Sequence, residues 1–205
     1  MTERPILFSA PMVRAILNGE KTQTRRLLKP QPQMVTDMRT QPWEGPADAL
    51  LALMTKAGKT CPYGQPGDQL WVRETWGLHA YGDDTDWVKG SCTSLDLEDS
   101  VITYRADWGP MQESCHWRPS IHMPRSASRL SLEITSVRVE RLQDISEADA
   151  RAEGADEAFD TDGGYKHHPL GNYRDGFAKL WTEINGSESW AANPWVWVVE
   201  FTRTK

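Results

Sequence analysis

The stretch Lys21-Thr-Gln-Thr-Arg-Arg26 sets an ammonium group, two hydroxyls and two guanidinium groups close together. If it is extended, its side chains alternate, so Thr22, Thr24 and Arg26 share one face while Gln23 and Arg25 take the other. A threonine hydroxyl can act as a nucleophile or hold a water, so Thr24 can serve either way. Lys21 acts as a base only if burial or the nearby Arg26 lowers its pKa; otherwise it is a donor to a developing oxyanion. Arg26 can hold a ribose or phosphate oxygen through its forked donors. The plainer alternative is that so charged a strand is simply a solvated face.

A second concentration of charge lies between prolines from Trp117 to Arg129, a loop holding Arg118, His122, Arg125 and Arg129. Arg118, His122 and Arg125 form the candidate nucleic-acid patch, the alternative again being a solvated loop. Trp76 and Trp117 are the indoles expected to stay open for stacking on a base, and Arg26, Arg73 and Trp76 are the expected substrate contacts. Trp71, Trp195 and Trp197 alternate with or adjoin valines and are expected in the core. Cys115-His116, His122, Cys61 and Cys92 follow neither C-x2-C nor H-x3-H spacing, so no metal site is expected. His167-His168 sits in a Gly-rich stretch and reads as solvent-exposed. Walker, dinucleotide-binding and serine-nucleophile motifs are absent, and no cofactor is expected.

Those groups sit in a chain of 205 residues, enough for one domain with large insertions. Hydrophobic residues at 39% and charged residues at 25% exclude wholesale disorder. The formal net charge of −6 removes any global attraction to nucleic acid or an anionic membrane. Nucleic-acid contact must then rest on a local basic patch, and a small nucleoside suits the balance better than a long duplex. No apolar run is long enough to span a bilayer, and Met1-Thr-Glu-Arg-Pro5 lacks a signal peptide's apolar stretch. A cytoplasmic protein whose three cysteines are reduced thiols is therefore expected.

The elements that must position these groups read as follows. Ile6-Leu-Phe8 is a short strand. Met12, Val13, Ile16 and Leu17 share a helical face that Gly19 ends, and the Lys21–Leu28 strand follows. A helix is expected over Ala47–Lys56, within an insertion near 31–60. Strands are expected over Leu70–Thr75 and Val101–Ala106, separated by an irregular acidic insertion near 77–100. Leu130–Leu142 is the longest strand; its apolar residues change phase near Thr135-Ser136, which implies a bulge. Ser146 caps a short helix that Gly154 ends, and Asn172 caps another whose Phe177, Leu180, Trp181 and Ile184 share a face. Trp195–Phe201 is a closing strand. Strands separated by helices without strict alternation predict an α+β fold, one domain over 1–205.

Phe8-Ser-Ala-Pro-Met12, Gly19-Glu-Lys-Thr-Gln-Thr-Arg-Arg26 and Gly67-Asp-Gln-Leu-Trp-Val-Arg-Glu74 together resemble the ASCH family, as do Leu132–Leu142, Asp144–Gly154 and Val196–Phe201 in the same order. The resemblance is strongest to larger, prophage-type members. It implies a PUA-like small mixed β-barrel with flanking helices and inserted loops, associated with RNA binding. One small bacterial branch of the family acts as an amidohydrolase that removes the acetyl group of N4-acetylcytidine with a Lys, a Thr and a Glu. On the matching positions of this chain stand Lys21, Thr24 and Glu153, with Arg26 on the following basic one.

Two readings result. In the first, the protein is an amidohydrolase acting on N4-acetylcytidine or a related modified nucleoside. In the second, it is a PUA-like module that binds RNA or a modified base without turnover, ribonuclease activity being a variant of it. A carboxylate at the C-terminal end of a short helix gains nothing from the helix dipole, so Glu153 is expected to matter more in chemistry than in folding.

Overall fold

The computed structural model describes residues 1–36, 39–80, 100–108, 117–156 and 172–204. In chain order its elements are β1 (Glu3–Leu7), α1 (Ala10–Leu17), β2 (Gln23–Leu27), β3 (Gln33–Thr36), β4 (Arg39–Pro42), α2 (Ala47–Lys56), β5 (Gln69–Arg73), β6 (Trp76–Ala80), β7 (Ser100–Tyr104), β8 (Ser131–Arg141), α3 (Glu147–Ala152), α4 (Tyr173–Asn185) and β9 (Trp195–Arg203). The fold is mixed α+β, as expected. Its main sheet has five strands in the order β1-β5-β8-β9-β2, β1 lying parallel to β5 and the other pairs antiparallel.

Apolar pattern explains the centre of this sheet. Trp195–Val199 of β9 is buried on both faces, which an unbroken apolar run in an inner strand allows. Trp195, Trp197, Val199 and Phe201 join the larger core beneath α1 and α2. Val196 and Val198 pack on the opposite side against Phe177 and Trp181 of α4 and Ala150 of α3. The phase change in β8 is a register shift between Ile134 and Ser136, where the sequence placed it.

β2 is an edge strand, and the helices close over it. At the far edge, β1 comes near enough for the Arg26 guanidinium to donate to the Leu7 carbonyl at 2.6 Å. Capping sets α3: the Ser146 hydroxyl accepts from the Asp149 amide at 3.1 Å, and Gly154 ends the helix at a φ of +70°. Asn172 caps α4 in the same way through the Asp175 amide.

Two regions depart from the sequence reading. Residues 31–60 contain a β3-β4 hairpin before the expected helix, and the irregular reading of 77–100 misses β6, which pairs with β7. Neither ribbon pairs with a strand of the main sheet, and Val35 of β3 is 75% exposed. The strand expected to reach Ala106 stops at Tyr104, and a 3-10 turn takes Arg105–Asp107. Most of the 77–100 insertion, Cys92, Cys115, His116 and the stretch with His167-His168 lie outside the described residues.

Candidate functional site

The site is built where β2 meets the end of α3. Lys21, just before β2, is 2% exposed and gives two of its three N–H groups to Glu153, one to the carboxylate at 2.9 Å and one to the carbonyl at 2.7 Å. The second carboxylate oxygen of Glu153 accepts from Arg25 at 3.2 Å. Arg25 also meets Glu140 of β8 at 2.8 Å and Asp149 of α3 at 3.5 Å. Arg138 of β8 pairs with Glu140, Asp149 and Glu200, extending the network across the sheet.

Gly154 explains how α3 comes so close. A Cβ there would lie 2.9 Å from the Ala15 Cβ and 3.1 Å from the Lys21 Cβ, and its backbone is left-handed. Only glycine meets both conditions without strain. Burial pushes the Lys21 ammonium below its ordinary pKa; Glu153 opposes the shift, and Arg26 and Arg25 add to it.

A cleft of about 270 Å³ opens beside this pair, with Thr24, Arg25, Arg26 and Glu153 in its wall. Tyr63, Phe177 and Trp181 supply aromatic surface, and Lys29 stands at the same wall. Thr24 is itself buried at 3%. The Phe8 ring lies 5.6 Å from the Lys21 ammonium and 5.2 Å from the Arg26 guanidinium, fixing both cations against one hydrophobic surface. Three buried donors, Arg25 Nε, Arg26 Nε and Trp181 Nε1, have no acceptor.

Lys21, Thr24, Arg26 and Glu153 are therefore gathered at one place, and the sequence-expected pairing of Lys21 with Glu153 is present. Glu153, expected to matter more in chemistry than in folding, has its carboxylate buried between two cations whose charge it answers. In sequence Arg25 is only a member of the other strand face, yet its side chain is fully enclosed. One signal pointed to it: Asp149 and Glu153 are four residues apart, so they share a helical face and call for a cation. Tyr63 had no sequence signal, and Phe177 and Trp181 read as ordinary core.

The remaining expected contacts lie elsewhere. Trp76 is not an open stacking surface: it is 2% exposed, packed with Met123 and Ala127 against Ile102 and Tyr104. Arg73 is outside the cleft wall; it donates to the Ile121 carbonyl and lies 5.4 Å from the Trp71 ring. Trp71, expected in the core, is half-buried between Arg73 and Arg125. Trp117 is half-buried beside Arg105. In the expected nucleic-acid patch, Arg118 bridges to Trp76 through the backbone, His122 is exposed, and Arg125 pairs with Glu3 at 2.6 Å. None of the three lines the cleft.

Among the described residues no group of three or more His, Cys, Asp or Glu side chains is placed to hold a metal ion. No described helix is long and apolar enough to cross a membrane. Cys61 is a buried free cysteine whose thiol is pushed up by desolvation.

No protein-family model matches the chain, and no curated protein matches it. Among solved structures, it is similar to the ASCH domain from Lactobacillus crispatus JV V101, with 15% identity, 98% of this chain and 79% of that chain covered, and a TM-score of 0.37. At that level the likeness assigns no role to any residue.

Proposed function

We propose that the cleft beside β2 binds a modified pyrimidine nucleoside and hydrolyses its exocyclic amide, with N4-acetylcytidine as the model substrate. The buried pair of Lys21 and Glu153, set in the same site as Thr24 at an aromatic-walled cleft, is the observation that carries this reading. The ASCH resemblance read from the sequence supplies the reaction class.

In this mechanism a water held by the Thr24 hydroxyl adds to the amide carbon and gives a proton to the Glu153 carboxylate. Lys21 offers its third N–H to the developing oxyanion. When the C–N bond breaks, the proton passes from Glu153 to N4, leaving cytidine and acetic acid, which then ionises. Tyr63 and Trp181 provide apolar surface for the pyrimidine.

A second reading has its own support. Lys21 already gives two bonds to Glu153, and Arg25 faces three carboxylates, so the network also suits a rigid wall for binding RNA or a modified base without turnover. Incubation of the chain with N4-acetylcytidine, followed by chromatography, separates the two. Release of cytidine and acetate is the expected result. Binding of the nucleoside with no release selects the binding-only reading.

A further inference from the structure

The groups left without partners in the cleft wall are all donors. Arg25 Nε, Arg26 Nε and Trp181 Nε1 are buried with no acceptor, and the Arg25 and Trp181 side chains are more than nine-tenths covered.

Charge narrows the class further. Arg25 is balanced by Glu140, Asp149 and Glu153, and Lys21 by Glu153. Arg26 and Lys29 are not: among the described residues neither forms an ion pair, and the hydrogen bond made by the Arg26 guanidinium goes to the neutral Leu7 carbonyl. In a chain of net charge −6, the cleft thus keeps a local excess of positive charge. A neutral nucleoside leaves that excess unanswered, whereas a phosphate supplies both the charge and several acceptor oxygens for a guanidinium.

We infer that the ligand of this cleft is a phosphorylated pyrimidine nucleoside, its phosphate held by Arg26 and Lys29 while its base lies against the aromatic wall. The inference rests on the nucleoside reading of the cleft and adds the phosphate to it. The phosphate belongs either to a free nucleotide or to a single-stranded RNA.

Calorimetry on the full chain with cytidine, cytidine 5′-monophosphate, ribose 5-phosphate and a short single-stranded oligoribonucleotide tests it. Cytidine 5′-monophosphate should bind about 10- to 100-fold more tightly than cytidine, the reach of a charge-assisted contact. Arg26→Gln should remove that advantage, and Lys29→Ala should remove part of it. Lys29 is exposed, so its variant keeps the test usable if Arg26→Gln fails to fold. The advantage should also shrink as salt is raised.

Equal affinity for cytidine and its monophosphate would overturn the inference and leave the nucleoside reading intact. Binding of ribose 5-phosphate that depends on Arg26, with no binding of cytidine, would uphold the phosphate site and reject the nucleoside. If the oligoribonucleotide binds more tightly than the monophosphate and with the same Arg26 dependence, the phosphate is that of a strand; otherwise it is that of a free nucleotide.

Discussion

The Glu153 carboxylate accepts from Lys21 on one oxygen and from Arg25 on the other, deep beneath the end of α3. Replacing it by glutamine keeps the shape but leaves two cations without that charge. Glu153→Gln should cost about 3 kcal/mol of stability. Burial already lowers the Lys21 pKa, and losing Glu153 lowers it further. A lysine whose folded pKa is depressed binds fewer protons folded than unfolded in the window up to its ordinary value. Stability therefore rises with pH there, and the deficit of the variant against the parent should shrink as pH climbs toward about 10. Denaturant melts across that range check this; a constant deficit would contradict it. Asp68 gives the opposite sign at the acid end. Its carboxylate accepts from the Thr2 amide at 2.7 Å, the Thr2 hydroxyl at 3.0 Å and the Gln65 amide at 3.2 Å, and these bonds hold its pKa down. That stability is present above the unfolded value and is lost as pH falls from about 4 downward. Asp68→Asn should flatten this acid-side loss in a pH series of melts.

Between elements, the contact that matters most is α3 against the start of β2. Thr22 donates its amide to the Ala152 carbonyl at 2.9 Å, and the Gln23 side chain donates to the Asp149 carbonyl at 2.8 Å, so helix and strand are joined by more than charge. Gly154→Ala should lower stability by about 2 kcal/mol or more, combining the left-handed penalty with overlap on Ala15 and Lys21. A thermal melt reads the loss, and a neutral outcome would mean that α3 can shift away from Lys21. These elements were legible in sequence because their signals are local: Ser146 three residues before Asp149, Gly154 after the last turn, and apolar residues changing phase along β8. β6 and the β3-β4 hairpin were not: β4 is exposed throughout, and the partners that bury Trp76 of β6, Met123 and Ala127, lie far along the chain.

At the scale of the molecule, the gathering of Lys21, Thr24, Arg26 and Glu153 could be anticipated only through the resemblance, because Glu153 is 132 residues from Lys21 and no pattern in the chain links them. Arg25 was hidden by the rule that charged side chains of an edge strand face solvent; here two helices cover the edge, and three carboxylates make burial tolerable. Trp76 was misplaced for the related reason that an indole's exposure depends on a distant partner, here the Met123 and Ala127 of a later loop. In the proposed reaction this assembled cleft hydrolyses a nucleoside amide, with Thr24 holding the attacking water. Its most direct test is the rate of cytidine release from N4-acetylcytidine by the parent chain, Thr24→Ser and Thr24→Ala. The parent should release cytidine, Thr24→Ser should retain most of that rate, and Thr24→Ala should fall by about 10²-fold or more with the fold intact; no release by the parent, or equal rates in all three, would rule out this role of Thr24 and of the cleft.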